Sequence, residues 1–382
     1  MFVLVTILLC YIVMMVLFII GWNKLKKKSS NKSQPNYSEL ISVLIPARNE
    51  AANIHNLLKD LNKQDDLHFE VIVVNDHSDD NTCQVVEDLI AGGFNNLKVI
   101  SIKNGAGKKK ALELGVTEAE GTIIITTDAD CRVSSGWVSA FRSILTDESV
   151  RLAFGGVRIG QDGKLWSSMQ AMELASLIGT GASLSAWKEP IMCNGANLAY
   201  RKKDFLELNG YAGNYHIASG DDEFLLKKIN HHYPGAVRFV FDPHNVVETK
   251  GVTLSEFIQQ RVRWAGKWKN DKFTLSTFLA LFIFVFHVSL LVMIAWSIVT
   301  HNFIFMSTWL TIKIFLEIIF LRKVMSFLQS AWSFRAFVSL TLAYSFYAVC
   351  FGVLSNLMSP RWKGRKIHNL KFEIDSGLIQ NR

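Results

Sequence analysis

The chain has 382 residues, 49% of them hydrophobic and only 19% charged, with 41 Lys and Arg against 33 Asp and Glu for a formal net charge of +8. This composition excludes a disordered or collagen-like chain. Five scattered cysteines with no C-x-x-C spacing argue against a disulfide scaffold and suit a reducing compartment.

Met1–Trp22 carries no Asp, Glu, Lys or Arg, and a helix of about 20 apolar residues crosses a bilayer. The run is too long for a cleaved signal peptide, no basic residue precedes it, and no small-x-small cleavage site follows. It reads as a signal anchor, with Lys24, Lys26, Lys27, Lys28 and Lys32 holding its C-terminal end in the cytoplasm. Residues 23–37 form a basic polar linker, and residues 38–273 one α/β domain.

Within that domain Ile41–Ile45, Phe69–Asn75, Val99–Ile102 and Thr122–Thr127 read as buried strands, because both faces are apolar. Ala51–Asn62, Thr82–Ala91 and Lys108–Ala119 read as the helices between them. Such alternation predicts a mostly parallel sheet with crossover helices on both faces. In such sheets ligands bind beyond the carboxyl ends of the strands. There the polar residues gather: Arg48-Asn49-Glu50, Asp76–Asp80 and Asp128-Ala129-Asp130. A further amphipathic helix is expected over Phe224–Asn230, preceded by the acids Asp221-Asp222-Glu223.

Three more apolar windows follow. Thr274–Val299 and Ala336–Met358 carry no charge, and Phe303–Leu321 carries one Lys and one Glu, Lys313 and Glu317, at i and i+4 on one helix face. Residues 274–358 are therefore a membrane region of about three helices, and 359–382 a basic tail. The +8 now divides. Ser33–Phe273 holds 26 basic and 30 acidic residues, net −4, so the positive surplus flanks the apolar windows. Anionic lipid headgroups and the positive-inside tendency produce that pattern, and a nucleic-acid binder is disfavoured.

The carboxylates carry the chemistry. Two acids two positions apart in a turn after a buried strand, Asp128 and Asp130, can share one hard cation, Mg²⁺ or Mn²⁺; a solvated turn is the bland alternative. Asp76 sits too early to cap the next helix, a task for Asp79, Asp80 or Asn81, and should point into the cleft. The acids at 221–223 exceed what a helix N-terminus needs, and one facing the metal turn can act as general base on a hydroxyl. In Gln260-Arg261-Val262-Arg263-Trp264 an arginine suits bidentate contact with phosphate and an indole offers a stacking face. An amphipathic juxtamembrane helix is the alternative, since Lys267, Trp268, Lys269 and Lys272 continue it.

Ser42–Glu50 (SVLIPARNE), Val74–Asp80 (VNDHSDD), Thr127–Asp130 (TDAD), Gly220–Asp222 and Gln260–Trp264, in order and suitably spaced, resemble the membrane-bound family 2 glycosyltransferases of GT-A fold. Cellulose, hyaluronan and poly-N-acetylglucosamine synthases belong to that family, as do smaller lipid glycosyltransferases. The likeness covers Ile41–Trp264, the flanking apolar helices and the Arg361–Arg365 string. It implies that Asp76 contacts the nucleotide base and that Asp130 is the metal ligand, with Asp128 facing the nucleotide-sugar. Asp222 would be the catalytic base, with Asp221 in place of the family's usual Glu. Gln260, Arg263 and Trp264 would hold the diphosphate and line the acceptor site, and Asn197 would lie beside the acceptor. Glu50 and Lys108 join the donor-binding set; Lys108 is not a Walker lysine, since no Ser or Thr follows it.

The expectation is inverting transfer of a sugar, with UDP the expected carrier, to a membrane lipid or lipid-linked glycan. The enzyme would be a multi-pass protein of the cytoplasmic membrane with its catalytic domain facing the cytoplasm. A processive polysaccharide synthase and a non-catalytic glycan-binding subunit are the competing readings. Three crossings after the domain put the basic tail outside, against the positive-inside tendency, unless one segment, Phe303–Leu321 for instance, is re-entrant or interfacial.

Overall fold

The computed structural model describes residues 2–28, 39–215, 220–265, 274–357, 361–362 and 365–366. The linker at 29–37, the basic stretch at 266–273 and most of the tail lie outside the described residues.

The chain opens with α1 (Phe2–Lys28) and then alternates: β1 (Ile41–Ala47), α2 (Ile54–Leu61), β2 (Phe69–Asn75), α3 (Thr82–Ala91), β3 (Leu97–Ser101), α4 (Lys108–Glu118) and β4 (Ile123–Thr126). There follow α5 (Trp137–Leu145), β5 (Leu152–Phe154), β6 (Val157–Ile159), α6 (Leu165–Ser185), β7 (Leu198–Arg201), α7 (Lys202–Glu207), α8 (Asp221–His232), β8 (Val237–Phe239), β9 (Val247–Thr249) and α9 (Leu254–Ala265). Three long helices, α10 (Leu275–Thr300), α11 (Ile304–Phe327) and α12 (Phe334–Leu357), precede the short pair β10 (Arg361–Trp362) and β11 (Arg365–Lys366).

The main sheet has seven strands in the order β3-β2-β1-β4-β7-β5-β8. It is parallel except where β7 runs against both β4 and β5. The central strands are buried on both faces because their side chains are Val, Ile and Leu on each. Gly115 lets α4 lie flat on them: a Cβ there would stand 3.1 Å from Leu44 and 3.2 Å from Val74. The expected strands and first helices hold, with two shifts. Residues 51–53 are a turn, so α2 starts only at Ile54. The helix expected over Phe224–Asn230 begins at Asp221, which puts Asp221 and Asp222 inside its first turn, where the N-terminal dipole favours negative charge.

Among the described residues four helices, α1, α10, α11 and α12, are long and apolar enough to cross a membrane. Between them and the sheet lies α6, which the sequence reading did not place. Its apolar residues trace no single stripe because α1, α11 and α12 all pack on it. It meets α1 so closely that a Cβ on Gly21 would stand 2.5 Å from the Ser183 carbonyl oxygen.

A cavity from the strand ends into the membrane helices

One continuous cavity of about 2500 Å³ begins at the carboxyl ends of β1, β2 and β4 and runs between the apolar helices. At its domain end Asp76 closes β2, only 2% exposed. Its Oδ2 accepts a hydrogen bond from the Gly107 N–H at 2.9 Å, and its carbonyl accepts one from Arg48 at 3.1 Å. Gly107, at φ +103°, is in the left-handed region that glycine reaches without strain, and it starts α4. Asp76 therefore fixes the loop that delivers Lys108.

Lys108 stands at the centre of the acids. Its Nζ donates to Asp128 Oδ1 at 2.6 Å and lies 4.0 Å from Asp221 Oδ2. Burial works against its charge, but Asp128 and Asp221 more than offset that and hold it protonated, above the usual lysine range. Burial pushes the Asp221 carboxyl up from its ordinary value; Lys108 opposes the shift, and Asp222 and Asp128 add to it. Asp222 accepts from the Gly195 N–H at 3.0 Å and from the Glu223 N–H at 2.8 Å. Gly195 in turn offers its carbonyl to Thr126 at 2.8 Å, so one residue ties the end of β4 to the start of α8. A Cβ on Gly195 would stand in ordinary contact with Lys108 Nζ at 3.4 Å and Asp221 Oδ2 at 3.5 Å. Reading side-chain types along the sequence does not find such a backbone donor.

Asp128 and Asp130 both line the cavity from the turn after β4. Their oxygens suit a hard divalent cation. Cys131 beside them offers no competing thiolate, since burial and then the two aspartates raise its thiol well above the usual value. Among the described residues no three His, Cys, Asp or Glu side chains converge as a metal cage. Two carboxylates in one turn match the one or two with which Mg²⁺ is commonly held beside a substrate's phosphates.

From α9, Gln260, Arg263 and Trp264 line the same cavity. Arg263 Nε is buried and makes no hydrogen bond within the described protein. Burial lowers the guanidinium pKa, and Asp221 and Asp128 pull the other way. A buried fork with an unused donor is suited to an anionic oxygen. Glu50 also lines the cavity, its Oε2 accepting from Asn53 at 2.7 Å.

Asn197 is a correction. It is fully buried, donates to the carbonyls of Gly156 at 2.8 Å and Asn245 at 2.6 Å, and accepts from Trp137 Nε1 at 2.9 Å. All its polar atoms brace the sheet against the segments packed on it, so no contact remains for an acceptor. From the same string Asn194, Gly195 and Ala196 reach the cavity.

At the membrane end the walls are apolar, with Met14, Met15 and Phe18 of α1, Ile283 of α10 and Phe320 of α11. They lead to a polar layer. Lys313 Nζ pairs with Glu317 Oε2 at 2.7 Å, Tyr11 OH donates to Glu317 Oε1 at 2.8 Å, and His287 Nδ1 lies 3.0 Å from Ser345 Oγ. Just beyond, Tyr11 stacks on Phe286 at 4.0 Å and Phe286 meets Trp309 at 5.7 Å. On α10 the lining reaches as far as His287 and on α11 it begins at Lys313, so the cavity extends about halfway along these helices.

Residues 42–208 match the family described as Glycosyl transferase family 2. The chain is 28% identical over 262 residues to a Bacillus subtilis (strain 168) protein named "Probable glycosyltransferase YdaM", covering 66% of this chain and 60% of that one. It is 32% identical over 93 residues to the undecaprenyl-phosphate 4-deoxy-4-formamido-L-arabinose transferase of Pseudomonas fluorescens (strain SBW25), covering 24% and 27%. These matches thus span less than two thirds of either relative's length. Among solved structures it shares its fold with a mannosyltransferase from Pyrobaculum calidifontis in complex with GDP-Man and Mn²⁺. The TM-score is 0.54 at 18% identity, covering 85% of this chain and 99% of that one.

Proposed function

We propose that this chain, whose residues 42–208 match Glycosyl transferase family 2, moves a sugar from a nucleoside-diphosphate donor to an acceptor seated in the half of its cavity between the apolar helices. The observation that carries this reading is the cavity itself. At about 2500 Å³ it exceeds the roughly 300–1,000 Å³ of an ordinary small-molecule pocket, and its far half is walled by membrane-type helices. Its extent, about halfway along these helices, favours a membrane-resident acceptor over a polymer threaded outward.

The donor lies across the strand ends. Asp76 receives the base, and Lys108 and Arg263 meet the diphosphate. Mg²⁺ or Mn²⁺ held by Asp130 and Asp128 would supply Lewis-acid stabilisation of the leaving group; the structural relative that binds GDP-Man also holds Mn²⁺. UDP is the carrier proposed for this chain. Gln260 joins the donor side, and Trp264 borders the acceptor's approach. The acceptor hydroxyl then attacks the anomeric carbon on the face opposite the diphosphate. As the new C–O bond forms and the C–O bond to phosphate breaks, Asp222 takes the hydroxyl proton, and the configuration inverts. Fixed positive charge along the diphosphate, from Lys108 and Arg263, answers the charge that develops there.

Asp222→Asn tests the assignment. It keeps shape but cannot take a proton, and general base catalysis contributes about 10²–10⁴-fold. Turnover should fall by that order while the affinity for nucleoside diphosphate stays within twofold. Turnover near wild type would remove Asp222 from the role of base.

A further inference from the structure

Arg261 is the one cationic residue of the Gln260–Trp264 string to which the reading above gives no task. It is 7% exposed. Its Nε donates to Glu173 Oε1 at 2.9 Å and its NH2 to Glu173 Oε2 at 2.5 Å, a two-pronged pair between α9 and α6. Its remaining terminal nitrogen, NH1, donates to Gln260 Oε1 at 2.9 Å. The guanidinium carbon lies 4.3 Å from the centre of the Trp264 ring and 4.4 Å from that of Phe257. Glu173, 4% exposed, also accepts from Tyr347 OH of α12 at 2.6 Å, and the Tyr347 ring packs on Phe257.

These contacts form a chain of cause. A planar guanidinium held by both oxygens of a buried carboxylate has one orientation. An amide bonded to it and a ring stacked on it take their orientations from that plane. We propose that Glu173 is a positioning residue: through Arg261 it sets the Gln260 amide and the Trp264 indole in the cavity, and through Tyr347 it makes their placement depend on α12. The proposal rests on the reading that Gln260 and Trp264 serve the donor and acceptor sites, but its test does not need turnover.

The full chain, labelled with 5-fluorotryptophan and purified in detergent, gives one ¹⁹F resonance per indole. Loss of a line in Trp264→Phe assigns Trp264, and loss of a line in Trp137→Phe assigns Trp137, whose indole lies in the sheet core. In Glu173→Gln the amide offers Arg261 one acceptor in place of two charged ones. The Trp264 line should shift or broaden while the Trp137 line stays. Tyr347→Phe leaves the ion pair but removes one bond to Glu173, and should move the Trp264 line the same way by less. If Glu173→Gln loses the Trp137 line, and with it the fold, Tyr347→Phe alone decides. An unmoved Trp264 line in a folded Glu173→Gln chain, or in Tyr347→Phe where that chain does not fold, would overturn the proposal. If the lines move and no nucleotide-sugar is consumed, the glycosyl-transfer reading fails and the positioning stands.

Discussion

Asp221 shows at the scale of one residue how the site trades stability for charge. Burial raises its carboxyl above the ordinary 3.8; Lys108 pulls it down, and Asp222 and Asp128 push it up again. An acid whose pKa is raised by folding binds its proton more tightly in the native state. Its contribution to stability is therefore present below the unfolded pKa and is lost as pH rises through the folded one. At neutral pH, above the unfolded pKa, the raised carboxyl costs stability. Asp221→Asn should raise the thermal midpoint at pH 7, by an increment that shrinks as pH falls and vanishes below about pH 3, where the native acid is neutral folded or unfolded. An equal or lower midpoint at pH 7 would contradict this. That Asp76, Lys108, Asp128, Asp130 and Asp222 line one cavity was legible in sequence because they stand in strings tied to strand ends and helix starts. Gly195 and Glu173 were not, since one acts through its backbone and the other through a partner 88 residues away. Asn197 was misread because a buried asparagine bracing a sheet has the same letter as one facing a ligand.

Among elements, the first three βα repeats and the strand that follows them were readable because period, length and β-branched composition agree there. The three-residue strands β5, β6, β8 and β9 were not, being too short to show a period. Helix α12 read as a crossing by length alone, and its contacts describe something else. Gly352, late in α12, abuts Phe284, whereas Ser345 and Tyr344, earlier, meet His287. Residues later in α12 thus meet residues earlier in α10, and α12 does not climb beside the outer half of α10. Its start is anchored to the domain, where Arg158 donates to the carbonyls of Leu328 at 3.2 Å and Gln329 at 3.1 Å. Its middle holds Glu173 of α6, and the backbone of β10 beyond its end rests against α9. An oblique α12 would leave three full crossings and would return the chain after it to the side of the sheet domain, in keeping with the positive-inside tendency. In that arrangement the helix lying across the bundle would be α12, where the sequence reading offers Phe303–Leu321 as its example. A protease added to sealed vesicles should remove a C-terminal tag only when it also reaches the catalytic domain. A tag cleaved while the domain is protected would restore the fourth crossing.

Across the whole molecule, the position of charge and the course of the cavity make one account. The net negative block gathers its acids where a cation and a diphosphate would meet. The apolar helices extend that site to a polar layer held by Tyr11, His287, Lys313 and Glu317, groups that are costly at membrane depth unless paired as they are here. Sequence placed Lys313 and Glu317 on one face of a helix, but only the packed helices bring Tyr11 and His287 to the same level and join that level to Asp222 through one cavity. The measurement that tests this most directly is the fate of a radiolabelled sugar. Membranes containing the full chain are incubated with a panel of labelled UDP- and GDP-sugars and Mn²⁺, then divided into chloroform–methanol extract and water-soluble high-molecular-weight material, with Asp222→Asn membranes as the control. A membrane acceptor in a cavity that extends to mid-span predicts label in the lipid extract, lost in the control. Label accumulating in high-molecular-weight glycan outside the lipid extract, or no Asp222-dependent label from any donor, would contradict it.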